Sequence, residues 1–169
     1  MRVLLSAGGT VILPAILLIG CNARGPEFSA MPYVRADEAA ILVYRPASVV
    51  LAAAWPDIYL NGNQRGQLKN GGYLVLRVPP GRHLVQAKGS AFTWSAHVDD
   101  LSWMVTAHPG QSHFIRLTVR AEALLPMAAL SAAFSPPGRK PRKTAAFLDQ
   151  VPQPTALNDL KRLRLSSSP

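Results

Sequence analysis

With 169 residues, the chain is long enough for one domain with its own core and too short for two comfortable ones. Its formal net charge is +9, and removal of residues 1–20 takes away only Arg2, leaving 17 basic against 9 acidic side chains. Such a balance favours anionic partners, from phospholipid headgroups and lipopolysaccharide phosphates to nucleic acid, without choosing among them. The single cysteine excludes an intramolecular disulfide and any zinc site built on several thiolates.

Arg2 and the initiator amine make a short positive start, and Val3 to Ile19 is apolar apart from Ser6, Thr10 and small glycines. This is the layout of a secretory signal, and an uncleaved membrane anchor is the alternative at this length. The residues Leu18, Ile19, Gly20 and Cys21 resemble the lipobox of bacterial lipoproteins. The resemblance implies cleavage between Gly20 and Cys21 and a diacylglycerol on the Cys21 sulfur, with no other cofactor expected. Each buried methylene of such a lipid contributes about 0.8 kcal/mol, so several acyl chains hold firmly where one holds marginally. Asn22 stands where lipoproteins retained at the inner membrane of Gram-negative bacteria carry Asp, which implies the outer membrane, facing the periplasm. Residues 21–36, with Gly25, Pro26 and Pro32, read as the lipidated cysteine and a flexible tether.

From Ala40 onward, short β-type runs alternate with turn chemistry. Ile41 to Arg45 predicts a first strand ending before Pro46. Ile58 and Leu60 face one way and Tyr59 the other, Asn61, Gly62 and Asn63 supply a tight turn, and Gln64 to Leu68 returns. Lys69 to Gly72 forms the next turn, after which Leu74, Leu76 and Val78 alternate with Tyr73, Val75 and Arg77. Pro79, Pro80 and Gly81 reverse the chain into a strand carrying His83, Val85 and Ala87. Leu101, Trp103 and Val105 define a further strand. In the clearest one, Ile115, Leu117 and Val119 point inward while Arg116, Thr118 and Arg120 face water. The prediction is a mainly β, single antiparallel β-sandwich of roughly seven strands over residues 37–134. Residues 135–144 read as an exposed basic, proline-rich loop, and 145–169 as a C-terminal strand or helix and tail. Leu157, Leu160 and Leu163 recur at helical spacing, with a helix start near Pro154 or Thr155.

The pieces YRP at Tyr44 to Pro46, IYLNGNQRGQLKNGGYLVLRVPPGRHLVQAKG from Ile58 to Gly89, and PGQSHFIRL from Pro109 to Leu117 occur in a characteristic order. That order resembles a domain-of-unknown-function family of small bacterial lipoproteins, and the hairpin pattern is similar to PEGA-type domains. The resemblance implies a β-sandwich on a lipid tether with no established chemistry. Ser112-His113-Phe114 stands where that pattern commonly has paired tyrosines.

No G-x-S-x-G elbow is present, and Ser112 and His113, as strand neighbours, point to opposite faces, which disfavours a hydrolase. His83, His97, His108 and His113 lack the spacing of convergent metal ligands, and Asp99 and Asp100 are adjacent rather than separated as an acid–base pair requires. No catalytic and no metal residues are therefore assigned. Arg139, Lys140, Arg142 and Lys143 form a basic run that reads either as a solvated loop or as a contact for anionic lipopolysaccharide or peptidoglycan. Nucleic acid is disfavoured by the export signal and by the lack of an aromatic stacking motif. The expectation is a non-catalytic, lipid-anchored envelope module with a protein partner, and an anionic-polymer binder is the alternative.

Overall fold

The computed structural model describes residues 22–89, 94, 98–120 and 146–166. Nine strands and one helix occur among them: β1 (Ala39–Arg45), β2 (Pro56–Leu60), β3 (Asn63–Gln67), β4 (Gly72–Val78), β5 (Gly81–Gly89), β6 (Leu101–Ala107), β7 (Ser112–Val119), β8 (Ala146–Gln150), α1 (Gln153–Leu160) and β9 (Arg164–Leu165). They form a five-stranded sheet in the order β8-β7-β1-β4-β9 and a four-stranded sheet in the order β3-β2-β5-β6. The expected β-sandwich with a short C-terminal helix is observed. None of the described helices is long and apolar enough to cross a membrane.

Two pairings in the larger sheet are parallel. β1 runs alongside β7, from Ala40 opposite Ser112 to Tyr44 opposite Arg116, and β4 pairs with β9 at Gly72 and Tyr73. The expected sandwich was antiparallel throughout, because hairpin turns imply antiparallel neighbours. The chain instead crosses between sheets several times, and a parallel pair needs such a long connection.

Alternation along the strands builds the inter-sheet core. Ile41, Val43, Leu74, Leu76, Ile115 and Leu117 meet Ile58, Val85, Ala87 and Val105 of the facing sheet. The opposite face of the larger sheet is covered too, since Leu42, Tyr44, Tyr73 and Phe114 are buried with Ala156 and Leu160 of α1 and with Leu163. All seven residues of β1 are buried. A central strand covered on both faces carries an unbroken apolar run, and Ala39 to Val43 is such a run. Trp103 is 36% exposed on β6, an edge strand of the smaller sheet.

The segment expected to be a free tether is part of the fold over its described residues. Its backbone donates from Ala23 to Asn70, from Gly25 to Leu165 and from Phe28 to Leu163, and Leu165 donates back to Pro26. Phe28, Met31 and Val34 pack on the second apolar cluster, and Phe28 meets the Tyr73 ring edge to face at 5.5 Å. Prolines and glycines predicted looseness, but the apolar side chains between them have an uncovered sheet face to bury. Glycine is required where this strap closes: a Cβ on Gly25 would lie 2.5 Å from the Leu165 carbonyl, and one on Gly72 would collide with Ser166 Oγ.

Candidate binding surfaces

Gly20, Cys21, Arg139, Lys140, Arg142 and Lys143, the residues singled out for cleavage, lipidation and anionic contact, lie outside the described residues, as does His97. The remaining histidines are held by the fold. His83 Nε2 lies 2.8 Å from the Pro79 carbonyl and must donate to it, so Nδ1 accepts from the Asn61 amide at 3.0 Å. Asn61 itself, at φ 50° before Gly62 at φ 83°, makes the tight turn between β2 and β3. His113 is buried, and its Nε2 accepts from the His108 backbone N–H at 3.1 Å, which places the ring proton on Nδ1. Burial, and then the neighbouring His108, lower its pKa. Asp99 and Asp100 are exposed. Among the described residues, no three His, Cys, Asp or Glu side chains converge as metal ligands would.

One polar cluster is built from three elements. Arg116 on β7 grips Asp149 of β8 through Nη2 at 2.8 Å and Nε at 3.3 Å, and its Nη1 lies 3.6 Å from Asp159 of α1. The Tyr44 hydroxyl donates to the same Asp159 carboxylate at 2.9 Å. Burial and that hydrogen bond push the Tyr44 phenol well above its ordinary range, while the bond to Asp149 raises Arg116 further. Both changes preserve the resting protonation states. The cluster ties α1 to the sheet. Arg116 was expected to face water, but α1 lies over that face and Asp149 of the neighbouring strand β8 stands opposite it. Sequence reading missed the cluster because its members are up to 115 residues apart.

Arg45 is fully buried beside it, facing the sandwich interior. Its guanidinium donates to the carbonyls of Ala54 at 2.6 Å, Leu51 at 2.7 Å and Val50 at 3.3 Å, and stands 5.5 Å over the Trp94 ring. Desolvation lowers its pKa to about 10, which still leaves it charged at neutral pH. These neutral acceptors replace water around a buried cation.

An open cleft of about 690 Å³ runs along β4 and is lined by Phe28, Pro32, Leu60, Arg65, Val75 and Arg77 among others. Arg164 donates to the Gly71 carbonyl and Ser166 to that of Tyr73, so odd-numbered positions turn their backbone groups toward β9. By the alternation of an extended strand, Val75 and Arg77 aim theirs at the same edge. There, beyond the two residues of β9, no described strand is paired. The edge is a template for an incoming strand, flanked by exposed Arg65.

The family model for a protein of unknown function, DUF2846, matches residues 35–128, more than half of the chain. The chain belongs to the DUF2846 family. Comparison with curated proteins and with solved structures finds no match. The DUF2846 span begins just before β1 and runs past β7, so it includes the sandwich core, Arg45 and the open edge of β4. The strap through Val34 and the elements β8, α1 and β9 fall outside it. The polar cluster therefore joins two DUF2846 residues, Tyr44 and Arg116, to two that follow the matched span, Asp149 and Asp159.

Proposed function

We propose that this DUF2846 chain is a lipid-anchored, non-catalytic module of the bacterial envelope. It holds its sandwich at the periplasmic face of the outer membrane and recruits a protein partner. The observation that carries the recruiting role is the edge of β4 at Val75 and Arg77, which no strand pairs among the described residues and which borders a cleft with apolar walls and arginines. Edge strands take up extended segments by main-chain hydrogen bonds, with flanking pockets choosing the side chains. Anchoring is supported by the Leu18-to-Cys21 pattern, and the similarity to PEGA-type envelope domains agrees with it.

The test is site-specific photo-crosslinking from position 77 in intact cells, with and without Val75→Pro. The Val75 N–H points out of the sheet, so proline there leaves the β1–β4 ladder intact. A defined protein adduct that disappears with Val75→Pro is the expected result. Adducts indifferent to the proline would sink the edge as the docking site. Anionic polymer recovered only when Arg139, Lys140, Arg142 and Lys143 are intact would favour the polyanion reading, which the net charge of +9 otherwise motivates.

A further inference from the structure

The connection from β1 to β2, Pro46 to Trp55, contains no charged residue and one polar side chain, Ser48. Val49 at its tip is 92% exposed, and Ala47 and Ala53 are exposed as well. A water-facing turn of this length ordinarily carries polar residues, and this one instead presents apolar side chains at each of its exposed positions.

Several backbone groups of this loop are bonded by neighbouring residues. Arg45 takes the carbonyls of Val50, Leu51 and Ala54. The Ser48 N–H donates to Asn70 Oδ1 at 2.9 Å, the Val50 N–H to Ser48 Oγ at 3.1 Å, and the Ala54 N–H to the Leu51 carbonyl at 3.0 Å. Leu51 is held at φ 52°, a left-handed conformation that a non-glycine residue adopts only when its surroundings impose it. These bonds turn part of the loop's backbone inward while the Val49 side chain stays exposed, which lowers the cost of bringing the tip to an apolar phase, where an unpaired N–H or C=O is costly.

Its position identifies the phase. Asn70 binds the loop through Oδ1, and through Nδ2 it donates to Asn22 Oδ1 at 2.8 Å, while its carbonyl accepts from Ala23. The residue before Asn22 is Cys21, whose Cα can be only about 3.8 Å from that of Asn22. The docked strap leaves no spacer between the two. Cations surround the loop: Lys69 sits 5.7 Å over the Trp55 ring, and exposed Lys161 and Arg162 share a groove with Pro46 and Ala47. The carboxylate in that groove, Asp159, is engaged by Tyr44 and Arg116.

We infer that the Pro46–Trp55 loop is a membrane-contact element. It seats Val49 in the headgroup–acyl boundary of the leaflet that holds the Cys21 lipid, with Lys69, Lys161 and Arg162 against anionic headgroups. The inference rests on the lipid-anchor reading above. It fixes an orientation, with the end of β1 that carries Arg45 toward the bilayer and Gln111 at the far end, about 20 Å away along the strand.

The lipidated protein, reconstituted in phosphatidylcholine–phosphatidylglycerol vesicles, tests this. Cys21 is the only native thiol and is capped by its lipid, so Val49→Cys and Gln111→Cys each accept a single environment-sensitive NBD label. The expected result is blue-shifted NBD emission at position 49, quenched by spin-labelled lipid at least about threefold more than at position 111. Reversing Lys69, Lys161 and Arg162 to Glu should bring that quenching down to its level in pure phosphatidylcholine. Equal, water-like emission at both positions in protein whose mass retains the acyl chains would overturn the loop assignment and leave the anchor standing. A mass showing unmodified Cys21, with protein washing off the vesicles, would overturn both.

Discussion

Arg45 shows how one residue settles a local structure. Its guanidinium gives up water and receives three carbonyls in return. Replacing it with methionine keeps much of the volume and orphans those carbonyls. Arg45→Met should therefore lower unfolding free energy by roughly 3–5 kcal/mol in urea titrations, the scale for breaking a buried charged network. Tyr44→Phe removes only a hydroxyl from a cluster that retains Arg116 and should cost about 1 kcal/mol by the same measurement. His113 predicts a pH dependence. Its folded-state pKa lies below the ordinary value near 6.5, so below that pH the unfolded chain binds more protons than the native one. Its contribution to stability is therefore lost as pH falls through that region, and the melting temperature should drop between pH 7 and pH 5. His113→Gln should make that drop shallower.

At the scale of elements, the strands that follow simple alternation were legible. β5 and β7 place His83, Val85, Ala87, Ile115 and Leu117 on the buried face, as the period of two requires. The turn at Asn61-Gly62 was legible because few residues accept positive φ in succession. What escaped were contacts between pieces distant in sequence. β9 is two residues long and exists only because β4 and the strap flank it. The strap itself carries no periodicity, and its docking depends on an apolar sheet face that no local window reveals. Arg116 reads as a surface residue until α1 is placed over it. The β1–β2 connection did carry a signal, a long turn without charge, which a search for catalytic motifs passes over. A specific expectation follows for the strap. Gly25→Ala puts a methyl against the Leu165 backbone and should release the segment, so limited proteolysis at Arg24 or Arg35 should accelerate several-fold. Unchanged cleavage would mean that the strap accommodates the methyl.

For the whole molecule, the division between the DUF2846 span and its flanks matters more than the strand count. The matched residues supply both sheets' central strands, while the outer cover of the larger sheet comes from the strap, α1 and Leu163. The two flanks meet, with Glu27 paired to Arg164 and Gly25 bonded to Leu165. This pairing gives the molecule a mechanical character. Tension applied at the N-terminus is met first by Asn22 and Ala23 on Asn70, next by the strap's bonds to β9, and only afterwards by the sandwich itself. The strap and β9 thus act as a fuse in series with the core. A pull on that terminus would peel the strap from the sheet and expose Tyr73 and Leu42 before any inter-sheet contact gave way.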